Sequence, residues 1–164
     1  MLKLAITFNK NKENFIDVGV ILLCSITSLL FYIYMASPLK VSISDYTFID
    51  SVSHFDQEEY KKRVINLAGW FYVDNQNASD QFKKEIVLSD GDLYYSYPVQ
   101  YFGRPDVAKA FPNVYKNDGK FKRLGFTTQI STRFIEKGTY HVYIKYVYNG
   151  TKFISDLKKE IVVK

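Results

Sequence analysis

Two short stretches of this chain hold most of the residues that could do chemistry. "SHFDQEEYKKR" (residues 53–63) gathers His54, Asp56, Glu58 and Glu59. An imidazole among carboxylates is the raw material of general acid–base work or of a metal site. "FGRPDVAKAFPN" (102–113) sets Arg104 and Asp106 on either side of Pro105. A planar guanidinium suits a phosphate or a sugar acid. In both places the plainer reading is stronger. The first stretch reads as a solvated polar connector containing one helical turn, and the second as a structural corner.

Other chemistry is thinly signalled. His141 falls in a predicted strand, on the face opposite Val142 and Ile144, where solvent is its natural neighbour. Cys24 is the single cysteine, so neither an internal disulfide nor a multi-thiolate metal site can form. Gly103 alone makes no phosphate loop, and no serine sits in a G-x-S-x-G elbow. The expectation is a protein without catalytic residues, metal or cofactor, and not an enzyme.

The corner has a physical logic. Pro105 suits a first helical position because its φ is fixed and its missing N–H goes unneeded there. Asp106 then lies in the first turn, where exposed N–H groups favour a carboxylate. Val107, Ala110 and Phe111 form a short apolar stripe, and Pro112 closes it. Arg104 and Asp106 are placed to pair locally.

The elements around these stretches read as strands. "LKVSISDYTFI" (39–49) alternates apolar and polar residues, the period of a strand. "VINLAGWFYV" (64–73) puts Ile65, Leu67, Gly69, Phe71 and Val73 on one face, with Trp70 and Tyr72 on the other. Strands follow at 82–88, 93–102, 125–132, 139–148 and 151–163. Asp90-Gly91 and Asn149-Gly150 are hairpin turns. Pro98 cannot donate to a ladder, which places it at a sheet edge or a bulge. About seven strands with close turn signals predict an all-β fold, an antiparallel immunoglobulin-like β-sandwich, with a small barrel as the competing architecture.

Before these strands, residues 18–36 read "VGVILLCSITSLLFYIYMA", without a charge. That run is long enough for a transmembrane helix. Ser25, Thr27 and Ser28 can return their hydroxyls to preceding carbonyls, Tyr32 and Tyr34 suit an interface, and Pro38 ends the helix. Lys3, Lys10 and Lys12 precede the span, opposed by Glu13 and Asp17, and Lys40 is the nearest base beyond it. The positive-inside tendency puts the N-terminus in the cytoplasm. The organisation is then a cytoplasmic tail (1–17), a transmembrane helix (18–36) acting as an uncleaved signal anchor, and an extracytoplasmic β-sandwich (37–164). The anchor meets membrane lipid, in a single-pass inner or plasma membrane, with the C-terminal domain periplasmic or extracellular.

Aromatic residues make up 17% of the chain, with 14 Tyr and 13 Phe, a high content that suits half-buried pleated surfaces. In 93–102, Tyr95, Tyr97 and Tyr101 share one face and are assigned to the core. Tyr94 and Phe102 occupy the other. With Arg104 they form the candidate binding surface, and an exposed edge strand would invite a partner strand. The formal net charge of +5 is spread among acidic residues, so no nucleic-acid partner is expected.

The set "LAGW" (67–70), "GRPDVAKAFP" (103–112), "LGF" (124–126) and "EKGTYHVYI" (136–144) resembles a bacterial immunoglobulin-like β-sandwich accessory domain. That domain is found with cell-surface polysaccharide and membrane-anchored proteins. The resemblance spans about residues 60–148 and implies a non-catalytic module. The expected function is a membrane-anchored extracytoplasmic binding or assembly module, near envelope glycan machinery. The alternatives are an accessory enzyme acting on envelope glycan or lipid, and a structural subunit of a larger membrane complex.

Overall fold

The computed structural model describes residues 20–30, 38–74, 76, 80–110 and 123–164. The chain divides into two units, Met1–Ser37 and Pro38–Lys164. In the first, residues 20–30 form a helix, α1, with every side chain exposed. Ser25 Oγ donates to the Ile21 carbonyl at 2.8 Å and Thr27 Oγ1 to that of Cys24 at 3.0 Å. Both hydroxyls are thereby satisfied within the helix, as expected. Among the described residues no helix is long and apolar enough to cross a membrane. The rest of the expected 18–36 span, with Tyr32 and Tyr34, lies outside the described residues.

The second unit is all-β, in two sheets. Its strands are β1 (Leu39–Lys40), β2 (Thr47–Phe48), β3 (Val52–Lys61), β4 (Val64–Tyr72), β5 (Gln81–Ser89), β6 (Tyr94–Pro98), β7 (Gln100–Phe102), β8 (Gly125–Ser131), β9 (Gly138–Tyr148) and β10 (Thr151–Val163), with a short helix α2 (Pro105–Ala110) after β7. One sheet has the order β1-β6-β5-β9-β10-β2 and the other β3-β4-β8-β7. Alternation along each strand supplies the core. Ile65, Leu67 and Phe71 of β4 and Phe126 and Ile130 of β8 meet Ile86 and Leu88 of β5 and Tyr140, Val142, Ile144 and Tyr146 of β9. Each such side chain, fully buried, stabilises the fold by about 1.5–3 kcal/mol. Two separate sheets around one core make a sandwich, not a closed barrel. Asn149 and Gly150 take φ of 49° and 79°, the left-handed pair that a two-residue hairpin turn requires, and they join β9 to β10.

Three expected elements differ. Residues 39–49 are not one strand: β1 pairs with β6 at one edge of the six-stranded sheet, and β2 pairs with β10 at the opposite edge. Residues 41–46 therefore cross the sheet. They cross its outer face, since Val87, Lys145 and Ile154 point away from the core there and are nevertheless buried. Tyr46 lies 5.8 Å from Lys145 Nζ and 5.7 Å from Lys152 Nζ across its ring. The alternation seen at 39–44 records this strap, with Val41 and Ile43 half-buried and Ser42 and Ser44 exposed.

Second, 53–63 is no connector. It forms most of β3, an edge strand whose register slips between Phe55 and Gln57. That bulge resets the alternation, and the charged side chains are those of an edge protected from further pairing. Third, 93–102 is two strands. β6 belongs to the six-stranded sheet and β7 to the other, and the chain changes sheets at Val99. Pro98 ends β6 at that break, where its missing N–H costs no ladder bond.

Candidate functional site

The corner at 102–110 folds as its residues dictate. Pro105 opens α2, with Asp106 in its first turn. Val107 is buried and Ala110 exposed, so Ala110 does not join an apolar stripe; Phe111 and Pro112 lie outside the described residues. Arg104 Nε donates to Asp106 Oδ1 at 2.9 Å and Nη2 to Oδ2 at 2.7 Å, while Nη1 donates to Asp56 on β3. The guanidinium is thus held between two carboxylates, with its side chain 17% exposed. Its hydrogen bonds with Asp106, and then with Asp56, raise its pKa; in return Arg104 holds the Asp106 carboxyl at about 2. The arrangement ties the corner to the β3 edge. It leaves the guanidinium little capacity for an outside anion.

The three candidate surface residues are not brought together. Phe102 lies at the end of β7 on the outer face of the four-stranded sheet, 39% exposed, with its ring over Gly125. Arg104 is two residues on. Tyr94 is on the other sheet, half-buried on its outer face, 6.4 Å from the Tyr143 ring. Of the acid–base candidates, His54 Nε2 comes within 4.0 Å of Asp56 Oδ1 on the exposed β3 edge, where Asp56 is already paired with Arg104, and the others separate. Glu58 pairs with Lys159, and Glu59 accepts from Asn66 at 2.9 Å and pairs with Lys61 at 3.2 Å. His141 is exposed, 3.5 Å from Glu160. Among the described residues no three His, Cys, Asp or Glu side chains gather as a metal site.

What the fold does build is a groove at the sheet change. β7 pairs with β8 only from Gly125 to Thr127, because the chain leaves at Val99 for the other sheet. The gap is a groove of about 390 Å³ lined by Pro98, Val99, Gln100, Thr127, Thr128 and Gln129. Thr128 Oγ1 donates to the Pro98 carbonyl at 2.8 Å, and Tyr97 Oη to that of Ser131 at 3.1 Å. Since Ser131 turns its carbonyl toward the gap, Gln129, two residues away, turns its N–H and C=O the same way. Among the described residues no strand is paired with β8 at Gln129 on that side, where Pro98 lies opposite in the register. Asn66, beside Gln129 across the β4–β8 pairing, has a buried Oδ1 without a hydrogen-bond partner. Amide and hydroxyl side chains carry no motif, so Gln100, Thr127 and Gln129 were invisible in the sequence. The one pointer was Pro98, which marked a break in pairing.

A second recess, about 380 Å³, lies on the outer face of the six-stranded sheet between Phe48, Ile49, Asp50, Tyr143, Asp156 and Lys158. Two of its charges satisfy each other: Lys158 takes φ of 54°, its N–H donates to Asp156 Oδ1 at 2.7 Å, and its Nζ lies 3.3 Å from Oδ2.

The sequence also concealed Lys84. It is 2% exposed, its Nζ donating to the Arg123 carbonyl at 2.7 Å and lying 5.0 Å from the Phe71 ring. Burial, with the nearby Arg123 charge, lowers its pKa to about 7. Lys83, with φ of 50°, forms the bulge in β5 that turns Lys84 inward. Compared with known families, curated proteins and solved structures, the chain gives no match.

Proposed function

We propose that this chain is a membrane-anchored binding or assembly module without catalysis, working outside the cytoplasm near envelope glycan machinery. The observation that carries the reading is the contrast between the two outer faces. One is covered by the 41–46 strap; the other, on β3-β4-β8-β7, presents Phe102, Gln100, Thr127 and Gln129 around a groove. Recognition by a sheet face or edge needs such a surface and no converging acid–base groups.

The strand order supports the immunoglobulin-like reading of the domain. β3-β4-β8-β7 follows the A-B-E-D order of that sandwich, and β6-β5-β9-β10 follows C′-C-F-G. The resemblance to the bacterial accessory domain rests on the same region. Anchoring is supported by α1, uncharged and apolar all round. With residues 18–36 in lipid, Lys3, Lys10 and Lys12 would hold the N-terminus in the cytoplasm and leave 37–164 periplasmic or extracellular.

The test is photocrosslinking in native membranes, with a benzophenone amino acid replacing Phe102 in one variant and Lys152, on the strap-covered sheet, in another. The reading expects adducts from position 102 and few from 152. Adducts from 152 alone, or digestion of the domain only after the cytoplasmic side is opened, would overturn it.

A further inference from the structure

We propose that the groove at the β6–β7 sheet change binds an uncharged, polyhydroxylated ligand, a segment of neutral oligosaccharide. This rests on the reading of the four-stranded face as the recognition surface, and adds the chemistry of what is recognised.

Charge is the first ground. None of the six lining residues is ionisable, in a chain whose residues are 24% charged. Arg104, four residues beyond Gln100, is already neutralised by Asp56 and Asp106. An anionic glycan or a phosphate would meet no free partner in this groove and would have to shed water without compensation. A neutral ligand carries no such penalty.

The second ground is the kind of hydrogen bonding on offer. Among the lining residues, Gln100 and Gln129 carry amides that both donate and accept, and Thr127 carries a hydroxyl. A sugar hydroxyl also donates and accepts, so neighbouring hydroxyls on a ring match this mixed lining group for group. Phe102 lies two residues from Gln100 on the same face and supplies an exposed ring on which the C–H side of a pyranose can pack. The volume, about 390 Å³, is within the usual range of about 300–1,000 Å³ for small-ligand pockets.

The third ground concerns an added strand, the other occupant that a sheet edge invites. A peptide strand needs a run of unpaired backbone groups. Here β7 already occupies Gly125–Thr127, and Tyr97 Oη takes the Ser131 carbonyl. Only Gln129 is left with both backbone groups facing the gap, too short a ladder to hold a strand. Pro98 sits where the pairing would have continued, and it has no N–H to give. The proline and the sheet change together keep the edge open for a compact ligand.

The test uses the full chain in detergent micelles, labelled with ¹⁵N and titrated with maltotriose, with a tri-galacturonate of similar size, and with an alanine-rich hexapeptide. The inference expects maltotriose to shift the amides of Gln100, Thr127 and Gln129, with affinity unchanged between low and high salt. Gln100→Ala and Gln129→Ala, both at exposed positions, should each weaken binding by about tenfold while leaving the rest of the amide spectrum in place. Shifts from the acidic sugar or the peptide, and none from maltotriose, would overturn the chemical assignment while leaving the face itself as the recognition surface. If none of the three perturbs these amides while a crosslinker at position 102 still captures a partner, the oligosaccharide inference fails alone. If the crosslinker is silent too, the reading beneath it fails with it.

Discussion

The two sheets share one core, yet their outer faces are built differently. On the six-stranded sheet, Val87 of β5 and Ile154 of β10 point away from the core and are still fully buried, since residues 41–46 lie over them. On the four-stranded sheet, the outward Thr127 of β8 is half-buried and Gln129 is exposed. The difference is written in residue type. "EIVLS" in β5 holds the apolar run Ile86-Val87-Leu88, which sets a buried Val87 on the outward face between Glu85 and Ser89, whereas "GFTTQIS" in β8 has only Gly, Thr, Gln and Ser outward, as in a strand with one wet face. A strand apolar on both faces needs a second cover, and this chain takes it from its own 38–50 segment. The face on which no described segment lies is where recognition is placed.

The sharpest way to break this comparison is to put a charge on each face. Val87→Asp should cost more than about 4 kcal/mol in urea unfolding, for it buries an unpaired carboxylate beneath the strap, whereas Thr127→Asp should change stability by about 0.5 kcal/mol or less. Similar losses at both positions would mean the faces are not different.

Lys84 gives the next effect, through pH. Unfolded, its amine keeps a proton up to the ordinary value near 10.5, while in the folded domain it gives the proton up at about 7. Between those values unfolding takes up a proton, so stability should rise with pH, by no more than about 1.4 kcal/mol per unit. Below pH 7 both states are protonated and the contribution levels off. Lys84→Met should flatten the rise, measured by denaturation from pH 6 to 10.

Two glycines sharpen the comparison at smaller scale. A Cβ at Gly69 would strike the backbone carbonyl of His54, which cannot yield, so Gly69→Ala should cost about 1–3 kcal/mol. At Gly125 the atoms nearest the added Cβ belong to the Phe102 ring, at 2.5 Å, and a side chain can swing aside. Gly125→Ala should therefore cost about 1 kcal/mol or less, while displacing Phe102 from the open face. Smallest of all, Arg104→Gln should leave global stability nearly unchanged and speed amide exchange in α2, whose tie to β3 it removes.

Much of the sandwich was readable because its strands alternate toward one core. β4, β9 and β10, the Asn149-Gly150 turn, the helical corner and the Arg104–Asp106 pair all follow from local rules. What escaped did so for definite reasons. The change of sheets at Val99 is marked only by Pro98, since Tyr95, Tyr97 and Tyr101 point inward on both sides of it: the two sheets face the same core. The bulge at Phe55–Gln57 hid β3 by resetting its period, and the bulge at Lys83 hid Lys84 by turning a charged residue where charge is not expected. The strap imitated a strand because lying on a sheet also buries alternate residues. Of the candidate surface, Phe102 was legible as a less buried aromatic. The groove beside it was not, because it arises from a gap in pairing between segments distant in sequence.

The contrast between the faces is tested most directly by thiol labelling of the full chain in a Cys24→Ser background. Single cysteines are placed at Val87, Ile154, Thr127 and Gln129, and their reaction with a water-soluble maleimide is timed. The account predicts that the first two react at least about tenfold more slowly than the last two, in step with their exposure. Equal rates at all four positions would mean that residues 41–46 do not cover the six-stranded sheet, and the assignment of the opposite face as the recognition surface would lose its ground.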